Sequence, residues 1–288
     1  MTKRLEGKPV ADKIYKNIRD LIEHNKDRKS RPPHLVIFYS IDVEESRIYV
    51  GRKVKACEEL GIKCTAIALN KEDGYGAVRL KVIKESRRGD VDGIIIQLPL
   101  HLELPKWKLD ELIDCIHPDK DVDGLTTSSA GLIYKGKNIK WRIPATVRAI
   151  LNIIEYYKIP IEGKNITILG RSELVGKPLA TILSSPEWNA IVTLCHSKMK
   201  HSVASYVISA EIVISAVGNP DIISDPEYLV YTYVIDAGIT KTEEGIKGDM
   251  VWSDLAYGQT PVPGGVGPVT VACLLENVVL RWSYSNGL

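Results

Sequence analysis

The amino-acid sequence predicts an α/β protein of two lobes: an N-terminal αβα domain and a second domain with a doubly wound parallel sheet, with a cleft between them. Short apolar runs alternate with amphipathic segments along most of the chain, which is typical of βαβ units. The length of 288 residues fits two domains of common size. A stretch over residues 119–138, rich in Asp, Gly, Thr and Ser, predicts a loop and a domain boundary.

Helices and strands are predicted in alternation through the N-terminal half. Apolar residues three and four apart over 8–28 indicate a helix with one buried face, and 34–39 (HLVIFY) indicates a strand covered on both faces. Asp42 and Glu45 form a capping box for the next helix, which ends before Gly61. The pattern continues with strand 64–69, helix 73–87 and strand 92–97.

The C-terminal half repeats this alternation. Further elements are predicted at helix 145–157, strand 165–169, a helix after Gly176, strands 190–194, 211–215 and 232–236, and a final helix over 269–283. We expect the final helix to pack back on the first lobe. Residues 1–138 and 268–288 would then form one domain, and 139–267 the other.

Composition and charge argue against several classes of protein. The formal charge of +2, from 38 Lys and Arg against 36 Asp and Glu, argues against nucleic acid as the main partner. No apolar run is long enough for a membrane span and the N-terminus lacks the apolar core of a secretory signal, so we expect a cytoplasmic protein without a membrane partner. The five cysteines and six histidines show no metal-site spacing, so reduced thiols and no metal are expected.

A phosphate-binding turn is indicated after strand 165–169. The strand runs into Gly170, and Gly176 opens the next helix, which is the order that anion capture at a helix N-terminus requires. Ser172 replaces the middle glycine of a G-x-G-x-x-G fingerprint, and Pro178 excludes a P-loop. Spacing alone therefore leaves a purely structural turn as the alternative.

Basic residues near this turn favour NADP as the cofactor. Arg171 offers a planar donor fork to a phosphate. Ser197 and Lys198, past the next strand, occupy the place where an acidic residue would select NAD and repel a phosphate. The second lobe is therefore predicted to be a Rossmann-like NADP domain.

A tyrosine, a lysine and a glutamine form the candidate catalytic group of the first lobe. Tyr49 and Lys53 stand four apart and so share one face of a predicted helix. A partly buried lysine can have a lowered pKa and can then accept a proton or activate water. By spacing alone, an ordinary pair of surface residues is favoured over a catalytic pair. Gln97 follows a predicted strand, where residues face the ligand crevice of an open α/β sheet.

Six segments of the chain carry a resemblance to one family. They are 46–56 (SRIYVGRKVKA), 97–100 (QLPL), 120–124 (KDVDG), 170–178 (GRSELVGKP), 195–197 (CHS) and 260–268 (TPVPGGVGP). In this order and spacing they closely resemble the bifunctional methylenetetrahydrofolate dehydrogenase/methenyltetrahydrofolate cyclohydrolase family, over nearly the whole chain.

The resemblance implies an enzyme of one-carbon metabolism, with a place in purine biosynthesis. Such an enzyme oxidises 5,10-methylenetetrahydrofolate with NADP and hydrolyses the 5,10-methenyl product to 10-formyltetrahydrofolate. The implied partners are tetrahydrofolate derivatives and a second copy of the chain, in a homodimer through the cofactor domain. Val192 and Leu194 are apolar strand residues available for that interface.

The resemblance also assigns roles to residues. Lys53 resembles the catalytic lysine, Tyr49 the neighbour that packs against the folate, Gln97 the residue that tunes the lysine, and Asp123 the carboxylate that holds the pterin ring. Substrate binding is further implied for Leu98, Pro263, Gly264 and Gly265. Cofactor binding is implied for Gly170, Arg171, Ser172, Val175, Gly176, Ser197, Gly218 and Ile239.

The chemistry of a pterin suits a carboxylate partner, but it does not decide which carboxylate of this loop serves. A pterin presents an amidine-like edge of N–H donors, which one carboxylate can accept in two parallel hydrogen bonds. Asp121 stands in the same loop as Asp123 and is its rival for this role.

Three positions depart from the family pattern. Ala145 and Val147 stand where the family usually has Cys and Pro, and His101 stands where a second proline is common, which leaves the rigidity of that loop open. The competing functions are a dehydrogenase without cyclohydrolase activity and a non-catalytic NADP-binding protein. Lys53 together with Gln97 argues against the first, and the complete set of candidate residues argues against the second.

Overall fold

The structure is a computed structural model that describes residues 2–27 and 31–284. Helices α1 to α9 are Gly7–Asn25, Glu44–Glu59, Tyr75–Ser86, Lys106–Ile113, Thr127–Tyr134, Ala145–Tyr157, Gly176–Leu183, Val203–Ile208 and Val266–Tyr284. Strands β1 to β11 are Lys3–Arg4, His34–Ser40, Lys63–Leu69, Gly93–Ile96, Asn165–Leu169, Ile191–Cys195, Ile212–Ser215, Tyr233–Asp236, Thr240–Thr242, Gly245–Lys247 and Gly258–Gln259. The predicted α/β class is confirmed.

The chain divides into two compact units. One comprises Ile14–Ala145 and the chain from Leu274 onward, and the other comprises the N-terminal segment up to Lys13 and Thr146–Cys273. We call them the first and the second unit. Helices α1 and α9 each contribute residues to both.

The first unit contains a three-stranded parallel sheet in the order β3-β2-β4. Its central strand β2 is buried at every residue except Tyr39, as the apolar run predicts for a strand covered on both faces. Phe38 on β2 lies opposite Ile67 on β3 and Ile96 on β4. The carboxyl ends of β2 and β4 therefore lie side by side, and the loops that follow them meet at one edge of the sheet.

The second unit contains a six-stranded parallel sheet in the order β6-β5-β7-β8-β11-β1. From β5 the chain first adds β6 on one side and then returns to add β7 on the other. This makes β5 and β7 the switch point of a doubly wound sheet, where ligands bind beyond the carboxyl ends of the strands. The predicted doubly wound parallel sheet is confirmed.

Two local predictions are wrong. Asp42 does not cap α2, because the helix begins at Glu44 and its N-cap is Val43, which makes no side-chain cap hydrogen bond. The stretch 119–138 is not all loop, since it contains α5. Thr126 caps that helix by accepting a hydrogen bond from the main-chain N–H of Ser129. Serine and threonine therefore start a helix here instead of marking a loop.

Other predicted elements lie close to the observed ones. Strand 165–169 and helix 145–157 have the predicted bounds, and Gly61 follows α2 with a φ of +69°, which suits the glycine that ends a helix. The final helix begins at Val266, three residues before the predicted start at 269. Helices α4 and α8 and the short strands β1, β9, β10 and β11 were not predicted.

Candidate active site

The first unit brings Lys53 and Gln97 into direct contact. Lys53 lies on α2, and its Nζ donates a hydrogen bond of 2.7 Å to Gln97 Oε1. The Gln97 amide is fixed in turn, because its Nε2 donates to the main-chain carbonyl of Leu98 at 2.8 Å. The main-chain N–H of Gln97 donates to the carbonyl of Phe38 on β2, also at 2.8 Å. Two residues predicted from separate motifs thus form one polar pair at the carboxyl ends of β2 and β4.

The surroundings of Lys53 favour its neutral form. Burial lowers the pKa of the Lys53 ammonium below its usual range, while the negative charge of Asp123 acts in the opposite direction. A lysine that loses its proton more readily can accept one from water, and Gln97 Oε1 holds the amine in one orientation. Tyr49, one helical turn earlier, keeps 37% of its surface exposed, which leaves its ring accessible to a ligand.

The two rival carboxylates have different surroundings. Asp121 is buried, and its oxygens accept hydrogen bonds from the main-chain N–H groups of Leu125 (3.1 Å) and Thr126 (2.8 Å), from Thr126 Oγ1 (2.7 Å) and from Ser129 Oγ (2.6 Å). None of the hydrogen bonds within residues 2–27 and 31–284 ends on the carboxylate of Asp123. Asp121 therefore holds the loop together, while no described residue donates to the carboxylate of Asp123.

Burial raises the pKa of Asp123 above its usual range, and the charge of Asp121 adds to this, whereas Lys53 opposes it. Gly124 fixes the course of the chain directly after this residue. Its φ is +69°, and a Cβ there would lie 2.5 Å from the carbonyl oxygen of Arg142, so glycine is required. The loop conformation that presents Asp123 is thus set by its immediate neighbours.

The second unit forms the predicted glycine turn between β5 and α7. Gly170 has a φ of +105°, and a Cβ at this position would lie 2.8 Å from the carbonyl oxygen of Ala216. A Cβ at Gly176 would overlap the carbonyl oxygen of Gly170, so the turn closes only with glycine at this position. Ser172 Oγ accepts a hydrogen bond of 3.1 Å from the N–H of Val175 and braces the turn from within.

A cavity of about 310 Å³ opens at this turn, beyond the ends of β5, β6 and β7. Four predicted cofactor residues line it: Gly170, Arg171, Ser172 and Ser197. Val175, Gly176, Gly218 and Ile239 lie outside its lining, although Gly218 follows β7 with a φ of +68° and Ile239 is 44% exposed. His196 and Asn219 line the cavity and were not among the predicted residues. No lining residue is acidic, which suits a phosphate-bearing ligand.

A buried carboxylate that the sequence analysis missed shapes the loop beside this cavity. Asp249 accepts hydrogen bonds from Ser215 Oγ (2.6 Å) and from the main-chain N–H groups of Val217 (2.7 Å) and Asn219 (2.9 Å). A Cβ at Gly238 would overlap this carboxylate. These partners lie 30 or more residues away from Asp249 in the chain, so no local motif could have indicated the network.

The predicted substrate residues Pro263, Gly264 and Gly265 belong to the second unit. Gly264 has a φ of +110°, and its carbonyl accepts a hydrogen bond of 2.8 Å from the N–H of Gly7. The N–H of Gly265 donates to the carbonyl of Pro261 at 2.7 Å. The segment is thus a tight, internally bonded bend, whereas the other predicted substrate residues lie in the first unit.

Residues 2–27 and 31–284 contain no cluster of metal-ligating side chains. No group of three or more His, Cys, Asp and Glu side chains in these ranges could hold a metal ion. All five cysteines are free thiols. No helix in residues 2–27 and 31–284 combines the length and the apolar character needed to cross a membrane.

The fold and the two sites define a dinucleotide-binding α/β protein with a lysine-centred polar site. Residues 5–123 match the family model for the catalytic domain of tetrahydrofolate dehydrogenase/cyclohydrolase, and residues 144–286 match the model for its NAD(P)-binding domain. The chain belongs to the tetrahydrofolate dehydrogenase/cyclohydrolase family, and the resemblance stated from the sequence is confirmed.

Similar proteins match along their whole length. The bifunctional protein FolD of Oleidesulfovibrio alaskensis is 34% identical over 99% of both chains. The crystal structure of the bifunctional FolD enzyme of Campylobacter jejuni has a TM-score of 0.90 and 32% identity over 98% of both chains. The Trypanosoma brucei FolD, solved with NADP cofactor and an inhibitor, has a TM-score of 0.89 and 29% identity, covering 100% of this chain and 99% of that one.

Proposed function

We propose that this chain oxidises 5,10-methylenetetrahydrofolate with NADP and hydrolyses 5,10-methenyltetrahydrofolate to 10-formyltetrahydrofolate. The observation that carries the proposal is the hydrogen bond from Lys53 to Gln97, with the charge of Asp123 acting on the same lysine. Family membership supports both activities, since the Campylobacter jejuni and Trypanosoma brucei proteins named above are described as methylenetetrahydrofolate dehydrogenase/cyclohydrolases.

Lys53 is the proton acceptor of the hydrolytic step. Water adds its oxygen to the cationic methenyl carbon, and one water proton passes to a base. The bond from that carbon to N5 of the folate then breaks as N5 is protonated, and the remaining hydroxyl proton leaves to solvent as the formyl C=O forms. A neutral Lys53 amine can take the first proton and return it to N5. Burial favours this neutral amine, and Gln97 Oε1 keeps it directed.

Asp123 holds the folate in place for both reactions. No donor in the described part of the chain bonds its carboxylate, which can receive two parallel N–H bonds from the pterin edge. The charge of Asp123 also raises the pKa of Lys53, so folate binding and the protonation state of the lysine are linked through one side chain.

The cavity of the second unit fits NADP. The turn has glycine at positions 170 and 176, where the backbone leaves no space for a Cβ. Because no side chain projects there, a ligand can approach the backbone closely. The exposed Arg171 side chain offers a cation beside the turn. The order strand, glycine turn and helix start suits a pyrophosphate, and Arg171 and Ser197 suit the 2′-phosphate. NADP, when bound, supplies the hydride acceptor of the oxidation.

One absorbance experiment tests the proposal. Purified protein is mixed with methylenetetrahydrofolate and either NADP or NAD, and NADPH and the methenyl intermediate are followed together. We expect NADPH formation without lasting build-up of methenyl, and build-up in a Lys53→Met variant. Build-up in the wild type would leave only the dehydrogenase, and no turnover with either cofactor would favour a binding protein.

We also propose a homodimer formed through the second unit. Strand β6 is an edge strand of its sheet, and Ile191 on that strand is 59% exposed. An unpaired edge with apolar side chains is suited to a partner. Sedimentation at micromolar concentration should give a dimer for the wild type and a monomer for Ile191→Arg, and a monomeric wild type would refute it. The expected cytoplasmic location stays a prediction that cell fractionation would test.

A further inference from the structure

The loop that carries Gln97 is fastened at its far end by His101. The main-chain N–H of His101 donates to Ser40 Oγ at 2.8 Å, and His101 Nδ1 lies 2.8 Å from the same oxygen. Its Nε2 lies 3.2 Å from the carbonyl oxygen of Asp73. Because a carbonyl only accepts, Nε2 is assigned the ring proton, and in the neutral ring Nδ1 then accepts the hydroxyl proton of Ser40. His101 and Ser40 thus hold each other by two reciprocal hydrogen bonds.

Both ends of this loop are attached to the same strand. Ser40 is the last residue of β2 and is completely buried. At the near end, the N–H of Gln97 donates to the carbonyl of Phe38, two residues earlier on β2. Since β2 is the central strand of its sheet, residues 97–101 form a short bridge between two fixed points.

The precision of this bridge bears on the chemistry of Lys53. Gln97 reaches Lys53 Nζ at 2.7 Å through a side chain whose backbone belongs to the bridge. A misplacement of one ångström in a catalytic arrangement can cost up to about 100-fold in rate. Release of the bridge at His101 would therefore weaken the hold of Gln97 on Lys53 without removing either residue.

We propose that His101 is a positioning residue for hydrolysis, whose bonds to Ser40 hold the Gln97 loop so that Gln97 keeps Lys53 oriented. This inference rests on the hydrolytic role proposed for Lys53. It also answers the question that the sequence left open at this position. The chain fixes the loop here with hydrogen bonds from His101 to Ser40 and to the carbonyl of Asp73.

Three variants of the full-length enzyme test the proposal. Ser40→Ala removes the hydroxyl, and His101→Gln removes the acceptor at the Nδ1 position. His101→Asn places an amide oxygen near that position and retains a partner for Ser40. We expect hydrolytic kcat to fall about tenfold in the first two variants and to recover in His101→Asn. The KM for methenyltetrahydrofolate and the dehydrogenase kcat should stay within about twofold.

The ratio of the two activities separates positioning from general instability, because a loosened fold would lower both. The double variant Ser40→Ala/His101→Gln should be no slower than Ser40→Ala, since Ser40→Ala alone removes both hydrogen bonds between the two residues. An unchanged ratio, parallel loss of both activities or additive losses would overturn the proposal. If His101→Gln fails to fold, Ser40→Ala tests the same contact. Wild-type protein that hydrolyses nothing would instead refute the proposed function itself.

Discussion

Substitution of the two neighbouring carboxylates of the first unit should affect two different properties. We expect the change at Asp123 to weaken folate binding and the change at Asp121 to lower the free energy of unfolding. Asp123→Asn removes the charge that would accept two N–H bonds from the pterin and leaves one neutral acceptor. Charge-assisted hydrogen bonds contribute about 1.5–3 kcal/mol each, so we expect a loss of about 2–3 kcal/mol in folate binding. This corresponds to a roughly 30- to 150-fold rise in KM for methylenetetrahydrofolate.

The matched change Asp121→Asn should have the opposite profile. The amide NH2 group of the asparagine would replace one carboxylate oxygen and would face N–H or O–H donors that now bind Asp121. The loss of charge would also weaken the remaining hydrogen bonds. We expect the free energy of unfolding to fall by about 2–4 kcal/mol. Asp123→Asn should change it by less than about 0.5 kcal/mol, because no described residue donates to that carboxylate.

Initial-rate kinetics and urea unfolding followed by circular dichroism would measure both quantities on the same preparations. The reasoning would be refuted if Asp123→Asn left KM within twofold of wild type. It would also be refuted if Asp123→Asn were the strongly destabilised variant and Asp121→Asn were not.

Three further predictions follow from charge. If neutral Lys53 is the base, the rate of hydrolysis should rise with pH through the pKa of Lys53. Asp123→Asn removes the charge that raises this pKa, so the rising part of the pH–rate profile should move to lower pH. An unchanged profile would count against Lys53 as the base. Arg171→Gln should raise KM for NADP by roughly 10- to 100-fold and hardly affect NAD, if its guanidinium binds the 2′-phosphate; equal losses with both cofactors would contradict this. Burial raises the pKa of Asp236 to about 6, above the unfolded value of about 3.9. The stabilisation from its proton is complete below about pH 4 and lost as pH rises through 6, so from about pH 5 to 7 the unfolding free energy should fall by about 1 kcal/mol more in wild type than in Asp236→Asn. Parallel pH curves for the two proteins in urea unfolding would disprove that assignment.

The sequence predicted those parts of the fold that depend on periodicity. The apolar run of β2 and the apolar spacing in α1 indicate a buried strand and a helix with one buried face without any tertiary information. Predictions failed where polar residues serve as helix caps, as at Thr126, and where strands have only two residues, as at β1 and β11. Strands that short carry no measurable alternation, and they form because the neighbouring strand presents free hydrogen-bonding groups.

The candidate site was predictable residue by residue but not in its connections. The motifs identify Lys53 and Gln97, yet their contact depends on the pairing of β2 with β4 and on the course of the loop that follows. Asp121 and Asp123 are indistinguishable in sequence because the difference lies in which donors surround each carboxylate. Asp249 and the bond from His101 to Ser40 were missed for the same reason, since their partners are remote in the chain.

The separation of 44 residues between Lys53 and Gln97 also has a consequence for folding. A helix such as α2 can form early from local contacts, but Gln97 arrives only when β4 has docked beside β2. The hydrolytic activity therefore depends on one of the later, non-local steps of assembly. In refolding from denaturant, helical ellipticity should return before turnover does, so that the enzyme's own product serves as a reporter of sheet completion.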